Sequence, residues 1–332
     1  MAHLRYKKHN FGPEATETID RARVILEQYA EQGYDLTLRQ LYYQFVSKGW
    51  LPNKQREYDR LGVLVSNARL AGLLDWDHIV DRARETEIVD HWRSPAAIMA
   101  AAARSYAEDK WANQPQRVEV WIEKDALSGV IEGPCRELDI PYLACKGYTS
   151  QSEMWRSAQR IVGYLKAGQQ VTILHMGDHD PSGIDMTRDI RDRLELFLAH
   201  HAAWGQAVPE GQAKPSGSEA YGWVAERFQV ERIALTWEQV QDYDPPPNPA
   251  KMSDSRAADY VANYGHESWE LDALDPSVLD ALVRDNVGRL LDDELWDEAV
   301  AAEDGQREAL TAASAKWPEV AAWLKDTTEG GA

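Results

Sequence analysis

The sequence predicts an α/β protein in three parts: a helical, winged-helix-like domain over residues 1–112, a parallel α/β domain over 116–240 and an acidic, mainly helical extension over 241–332. Three observations carry this expectation. Apolar residues recur at helical spacing in the first part, short apolar runs alternate with helical stretches in the second, and the charge falls sharply in the third. The chain has 332 residues, enough for about two domains with sizeable cores. Lys and Arg number 36 against 55 Asp and Glu, a net charge of −19. Residues 1–116 hold 16 basic and 16 acidic side chains, 117–229 hold 12 and 16, and 230–332 hold 8 and 23, so the segments carry 0, −4 and −15. The acidity belongs to the last third, which leaves a DNA-facing surface on the first two thirds open. At 44% hydrophobic and 27% charged, the composition excludes fibrous and wholly disordered classes.

The first helix is expected from Pro13, which suits a first turn, through Ile19, Ala22, Leu26 and Tyr29 to a stop at Gly33. Thr37 and Gln40 form a capping box that opens a second helix over Leu38 to Lys48, closed by Gly49. After the turn Trp50-Leu51-Pro52-Asn53, a third helix runs from Lys54 to Ala71. Three helices with a tight turn between the last two suggest a helix-turn-helix or winged-helix unit. Lys54, Arg56 and Arg60 on the third helix read either as a DNA-facing set or as an ordinary solvated face.

From Arg117 the period changes. Strands are expected at Val118–Ile122, Pro141–Cys145, Val171–Met176 and Val230–Leu235, with helices at Ala126–Leu138, Ser152–Ala167 and Met186–His200 between them. That alternation means a parallel sheet with crossover helices. Ala207 to Gly222 reads as a loop, Asp244 to Pro249 as stiff extended chain, and the segment beyond Asp275 as helices ending in a frayed tail from Thr328. No apolar run approaches the roughly 18 residues of a membrane span, and Met1 to Asn10 is basic with no apolar region behind it, so a cytoplasmic protein with no membrane partner is expected. Cys135 and Cys145, with no Cys-x-x-Cys pair, read as buried packing residues.

In a parallel α/β sheet ligands bind outside the carboxyl ends of the strands, and here those ends carry acids. Glu123 follows the first strand, and Asp178 and Asp180 follow the third in Gly177-Asp178-His179-Asp180-Pro181-Ser182-Gly183. Alternation along an extended segment throws Asp178 and Asp180 to one side, where they can converge with Glu123. Three such carboxylates would repel without a cation, and all-oxygen ligation favours Mg²⁺, with Mn²⁺ as a substitute. Singly, each acid reads as a surface residue, turn or helix cap. His179 would point the other way, as a neighbour rather than a ligand. No phosphate-binding Gly-x-x-x-x-Gly-Lys-Ser/Thr loop and no Gly-x-Gly-x-x-Gly follows a strand, so no nucleotide site is expected.

A second signal lies in Leu38-Arg39-Gln40-Leu41-Tyr42-Tyr43. At about 100° per residue, Leu38, Leu41, Tyr42 and Phe45 share the core face, while Arg39 and Tyr43 lie four apart on another flank. Tyr43 is therefore expected outward beside a cation that could hold a phosphate and favour the phenolate; the alternative is an interface tyrosine with an arginine stacked on it.

Ile122-Glu123-Lys124-Asp125-Ala126, Cys145-Lys146-Gly147-Tyr148 and the Asp178–Gly183 segment resemble, in order, the motifs of the Toprim domain in the DNA topoisomerase VI A subunit and its relative, the meiotic double-strand-break protein. Leu38 to Tyr43 resembles their winged-helix motif, in which an Arg precedes the nucleophilic Tyr by four residues. The likeness covers about residues 35–190. Cys145 replaces the usual Gly, and Thr149-Ser150 replaces a common Pro-Asp. The resemblance implies Tyr43 as nucleophile, Arg39 as its phosphate-binding neighbour, Glu123, Asp178 and Asp180 as metal ligands, and Lys124, Lys146 and Tyr148 near DNA. It further implies a homodimer acting on double-stranded DNA, in a stand-alone A-subunit-like form that works alone or with a separate ATPase or accessory subunit. The expected activity is Mg²⁺-dependent DNA cleavage through a 5′-phosphotyrosyl link. A Toprim hydrolytic nuclease and a non-catalytic DNA-binding or assembly protein are the alternatives.

Overall fold

A computed structural model describes residues 5–80 and 91–329. The chain divides into two compact units, one from residues 1–84 with 118–289, the other from 85–117 with 290–332. This division differs from the order expected along the chain: residues 241–289 join the sheet, and 91–117 join the carboxy-terminal helices.

The first unit begins with three helices. Helix α1 (Pro13–Glu31) has Pro13 in its first turn and buries Ile19, Ala22, Leu26 and Tyr29. Helix α2 (Leu38–Ser47) opens on the capping box: Gln40 N–H donates to Thr37 Oγ1 at 3.3 Å and Thr37 N–H to Gln40 Oε1 at 2.8 Å. Gly49 follows at φ +68, a left-handed backbone that favours glycine. Helix α3 (Gln55–Leu70) starts after Lys54. Leu26, Leu41, Phe45 and Leu61 pack together at 0–2% exposure, each contributing about 1.5–3 kcal/mol by burial. One parallel bridge, Leu36 to Ile79, follows the helices; residues 81–90 lie outside the described residues. Helix α4 (Pro95–Ser105) belongs to the second unit.

Strand β1 (Gln116–Ile122) is followed by a 3₁₀ turn, helix α5 (Ser128–Glu137), strand β2 (Tyr142–Ala144), helix α6 (Gln151–Lys166) and strand β3 (Gln170–Met176). Helices α7 (Pro181–Ala203) and α8 (Ala220–Ala225) lead to strand β4 (Phe228–Ala234). The four strands form a parallel sheet in the order β2-β1-β3-β4. Trp121, Met154, Ile161, Ile173 and Leu194 fill the core between sheet and helices at 0% exposure. Glu119 is buried on β1 and held at both oxygens by Arg160, at 2.7 and 2.8 Å, so it is a structural ion pair away from the strand ends. Because β1 connects toward β2 on one side and β3 toward β4 on the other, the strand order reverses between β1 and β3, the place where parallel sheets of this kind bind ligands.

Helix α7 begins five residues before the expected Met186. Asp180 caps it, accepting from Gly183 N–H at 2.6 Å, so the segment that looks like loop is already a first turn. Helix α8 occupies the end of the stretch expected as loop. Helix α9 (Trp237–Tyr243), strand β5 (Asn248–Pro249), helix α10 (Ala257–Tyr264) and strand β6 (Glu267–Ser268) follow, with β5 and β6 antiparallel. Helix α11 (Pro276–Gly288) closes the unit.

In the second unit α4 packs on helix α12 (Asp293–Ala315), and helix α13 (Trp317–Glu329) follows. The helix runs through Glu329; residues 330–332, the rest of the tail expected to fray, lie outside the described residues. Buried Glu303 accepts from Lys110 Nζ at 2.7 Å, Glu108 N–H at 2.8 Å and Arg307 Nη2 at 2.8 Å, and Gln114 exchanges two 2.8 Å bonds with the Asp292 backbone. Part of the acidic tail thus has basic and polar partners inside its own chain. Among the described residues no helix is long and apolar enough to cross a membrane.

Candidate active site

Glu123 leaves β1 at the switch point, its N–H donating to Met176 O on β3 at 2.8 Å. Its Oε2 accepts from Asp178 N–H at 2.9 Å. Gly177 makes this approach possible, because a Cβ there would stand 2.9 Å from that oxygen. At Gly183 a Cβ would stand 2.2 Å from Asp178 O, so only glycine lets α7 start against the loop. Asp178 Oδ1 accepts from Leu271 N–H at 2.8 Å and pairs with Lys124 Nζ at 3.0 Å. Asp180 Oδ1 caps α7 and accepts from Ser182 Oγ at 2.8 Å.

Beneath this loop lies Arg232, which the sequence reading missed. Its Nε donates to Leu235 O at 3.1 Å, Nη1 to Gly183 O at 2.9 Å and Thr187 Oγ1 at 3.1 Å, and Nη2 to Gly177 O at 2.8 Å and Asp178 O at 2.5 Å. All the guanidinium N–H donors are used, and the loop is wrapped around them. Burial lowers Arg232 to about 10, against the pull of Glu123, Asp178 and Asp180, so it stays charged at neutral pH. Burial also raises Glu123 above the ordinary carboxylate range and pushes Asp178 up to about 7, outweighing Lys124.

The tyrosine side differs from the expectation. Tyr43 is buried at 5% exposure, because the 3₁₀ turn Leu271–Ala273 packs on α2 and the preceding residues cover the flank. Asn248 and Glu270 are the polar side chains beside its hydroxyl. Burial, then Glu270, raises its pKa above the usual value, and Asn248, Arg39 and Lys124 pull the other way without prevailing. Arg39 favours the phenolate but is outweighed, and it pairs with Glu270 Oε2 at 2.7 Å. Tyr42 is core as expected, its hydroxyl accepting from Lys54 N–H at 2.7 Å.

Lys124, expected at a DNA surface, is half-buried among acids. Its Nζ pairs with Asp178 Oδ1, with Glu270 Oε2 at 2.9 Å and with Asp272 Oδ2 at 3.2 Å. Burial opposes its charge, and these three carboxylates override that and raise its pKa. Glu270 and Asp272 were missed. Trp269-Glu270-Leu271-Asp272 alternates as Asp178 and Asp180 do, and that spacing was the available signal.

A cavity of about 130 Å³ borders this cluster, lined by Arg39, Tyr43, Lys54, Tyr58, Asn248 and Glu270. Lys54 and Arg56 are exposed near the start of α3. Arg60 pairs with Glu14 at 2.7 Å, toward α1 and away from the cavity lining. Lys146 is exposed and 3.2 Å from Asp125. Tyr148 is 43% exposed; its hydroxyl donates to Asp185 Oδ2 at 2.7 Å, and Arg256 stacks over its ring. His179 turns into an aromatic group of Trp237, Tyr260, Tyr264 and Trp269, and its backbone exchanges 2.8 and 2.9 Å bonds with Trp269. Burial lowers it to about 4. It braces the later segment against the site. Cys135 and Cys145 are both buried.

Among the described residues no three His, Cys, Asp or Glu side chains stand ready to enclose a metal ion. Each of Glu123, Asp178 and Asp180 has one oxygen engaged by a backbone N–H, while its second oxygen has no hydrogen-bonding protein partner among the described residues. That donor set suits a hydrated Mg²⁺ held by one or two carboxylates and a substrate phosphate, rather than a closed cage. No family model matches this chain, and no curated protein matches it.

Proposed function

We propose that this chain is a Mg²⁺-dependent DNA-cleaving enzyme that acts by tyrosine transesterification, in the manner of a stand-alone topoisomerase VI A-like protein with winged-helix and Toprim parts. One observation carries the reading: a continuous run of contacts from Arg39, on the helix flank that also bears Tyr43, through Glu270, Lys124 and Asp178 to Glu123 links that flank to the strand-end acids. That two motifs far apart in sequence are neighbours supports reading them as one site.

In this reading the Tyr43 O–H bond breaks and its proton passes to solvent. The phenolate oxygen forms a bond to the DNA phosphorus, the P–O3′ bond breaks, and the 3′-oxygen takes up a proton from water. Arg39 grips the non-bridging oxygens. One or two of Glu123, Asp178 and Asp180 would hold Mg²⁺, which stabilises charge on the phosphate when bound. Each protomer cuts one strand, so a double-strand break takes a two-fold homodimer.

The test is incubation with supercoiled plasmid and Mg²⁺, stopped with detergent and scored before and after protease. Adducts released only by protease are expected. Tyr43→Phe abolishes them with DNA binding retained, and Glu123→Ala abolishes them too. Cleavage by Tyr43→Phe at the wild-type rate overturns the reading. The burial of Tyr43 favours one second reading, a hydrolytic nuclease in which water replaces the phenol; its products carry free 5′ ends and no protein.

A further inference from the structure

The donors that the proposed reaction directs at a DNA phosphate already surround an anion. Glu270 Oε2 receives Arg39 Nη1 at 2.7 Å and Lys124 Nζ at 2.9 Å. Tyr43 lines the same cavity as this carboxylate, and Asn248 Nδ2 stands 3.5 Å from Oε1. A guanidinium, an ammonium, a phenol and an amide form a donor set that fits a phosphodiester as well as a carboxylate, since both present paired anionic oxygens.

The backbone under Glu270 is fixed. Trp269 pairs with His179, Leu271 is 0% exposed with its N–H on Asp178, and the Asp272 side chain is 1% exposed. The Glu270 side chain alone is open, at 28% exposure, beside the 130 Å³ cavity. That space equals about four waters' share of liquid volume. A side chain can therefore rotate out while its backbone stays, leaving Arg39, Lys124 and Tyr43 facing the vacated position.

We propose that Glu270 is a built-in occupant of the phosphate position, a carboxylate gate that a DNA phosphate must displace before Tyr43 can react. This rests on the reading that Arg39 and Tyr43 meet a phosphate. It also accounts for a nucleophile that is buried and held protonated in the resting chain: the group that masks it is the one DNA replaces.

The experiment measures binding of a fluorescein-labelled DNA duplex to the full-length protein by anisotropy, in chelator so that nothing is cut. Glu270→Gln keeps the shape and removes the charge. It is expected to bind about tenfold tighter than wild type at low salt, with a salt dependence steeper by about one phosphate contact, because Arg39 loses its 2.7 Å partner while Lys124 keeps Asp178 and Asp272. Glu270→Asp, which withdraws the charge by one methylene, falls between the two and decides the matter if Glu270→Gln fails to fold by circular dichroism. Arg39→Ala added to Glu270→Gln removes the gain. Unchanged or weaker binding by the folded Gln or Asp variant overturns the gate, as does a gain that survives loss of Arg39. Adducts are scored separately. Tighter binding with no adduct from any protein sinks the transesterase and leaves the gate standing, while wild-type adducts with unchanged affinity of the variants sink the gate alone.

Discussion

The two halves of the candidate site are held by different means. Glu123, Asp178 and Asp180 sit at strand ends and a helix start, where each is engaged by a backbone N–H and the loop between them is wrapped on the buried Arg232. Arg39 and Tyr43 lie on a helix surface and are held by side chains from the far end of the chain, Arg39 to Glu270 spanning 231 positions. The acid side is backbone-built and pre-organised. The tyrosine side is closed by exchangeable polar contacts. Changes on the first should therefore cost stability, and changes on the second should alter ligand access at little cost to the fold.

The largest expected effect tests the rigid half. Gly183→Ala drives a Cβ against the Asp178 carbonyl, where backbone meets backbone, and should cost more than about 4 kcal/mol in urea unfolding. Gly177→Ala meets the Glu123 side chain instead, which can shift, so it should cost clearly less; equal costs would break the contrast. Arg232→Met strands the carbonyls of Gly177, Asp178 and Gly183 and should cost about 3–5 kcal/mol.

A smaller effect is pH-dependent. His175 is fully buried, Nδ1 against Thr187 Oγ1, and burial depresses it to about 3. Below the ordinary value near 6.5 the unfolded chain takes a proton that the folded one refuses. Stability from this group is thus lost as pH falls from 6.5 toward 3, at about 1.4 kcal/mol per unit. Asp178, raised to about 7, works oppositely, since the folded state keeps its proton. Both proteins share the Asp178 contribution, so the stability difference between wild type and His175→Gln isolates the histidine; it should shift against wild type by about 2 kcal/mol between pH 6.5 and 5. The smallest effect belongs to the tyrosine half, where Tyr43→Phe should lower stability by only about 1 kcal/mol.

Much of the fold was legible because its signals are local. The capping box of Thr37 and Gln40, the left-handed Gly49, the four strands and the acids at the ends of β1 and β3 are each written within a few residues. What was illegible came from distance. A helical projection sets the angle of Tyr43 but not what covers it: Asn248 lies in a segment the sequence marks only as extended chain, and Glu270 lies beyond it in a stretch to which the sequence assigns no role. Lys124 looks like a surface cation beside Glu123 until Asp272 arrives from 148 positions away. Arg232 reads as an ordinary strand residue, and only the path of the Gly177–Gly183 loop reveals five acceptors converging on it.

The central claim, that Tyr43 attacks a DNA phosphate, is tested most directly by mapping the residue that carries DNA. After incubation with plasmid and Mg²⁺, nuclease trimming and trypsin digestion, the Gln40–Lys48 peptide should carry a nucleotide, with fragmentation placing it on Tyr43 rather than Tyr42. A nucleotide on another tyrosine such as Tyr148, or cut DNA with every tyrosine unmodified, contradicts the account.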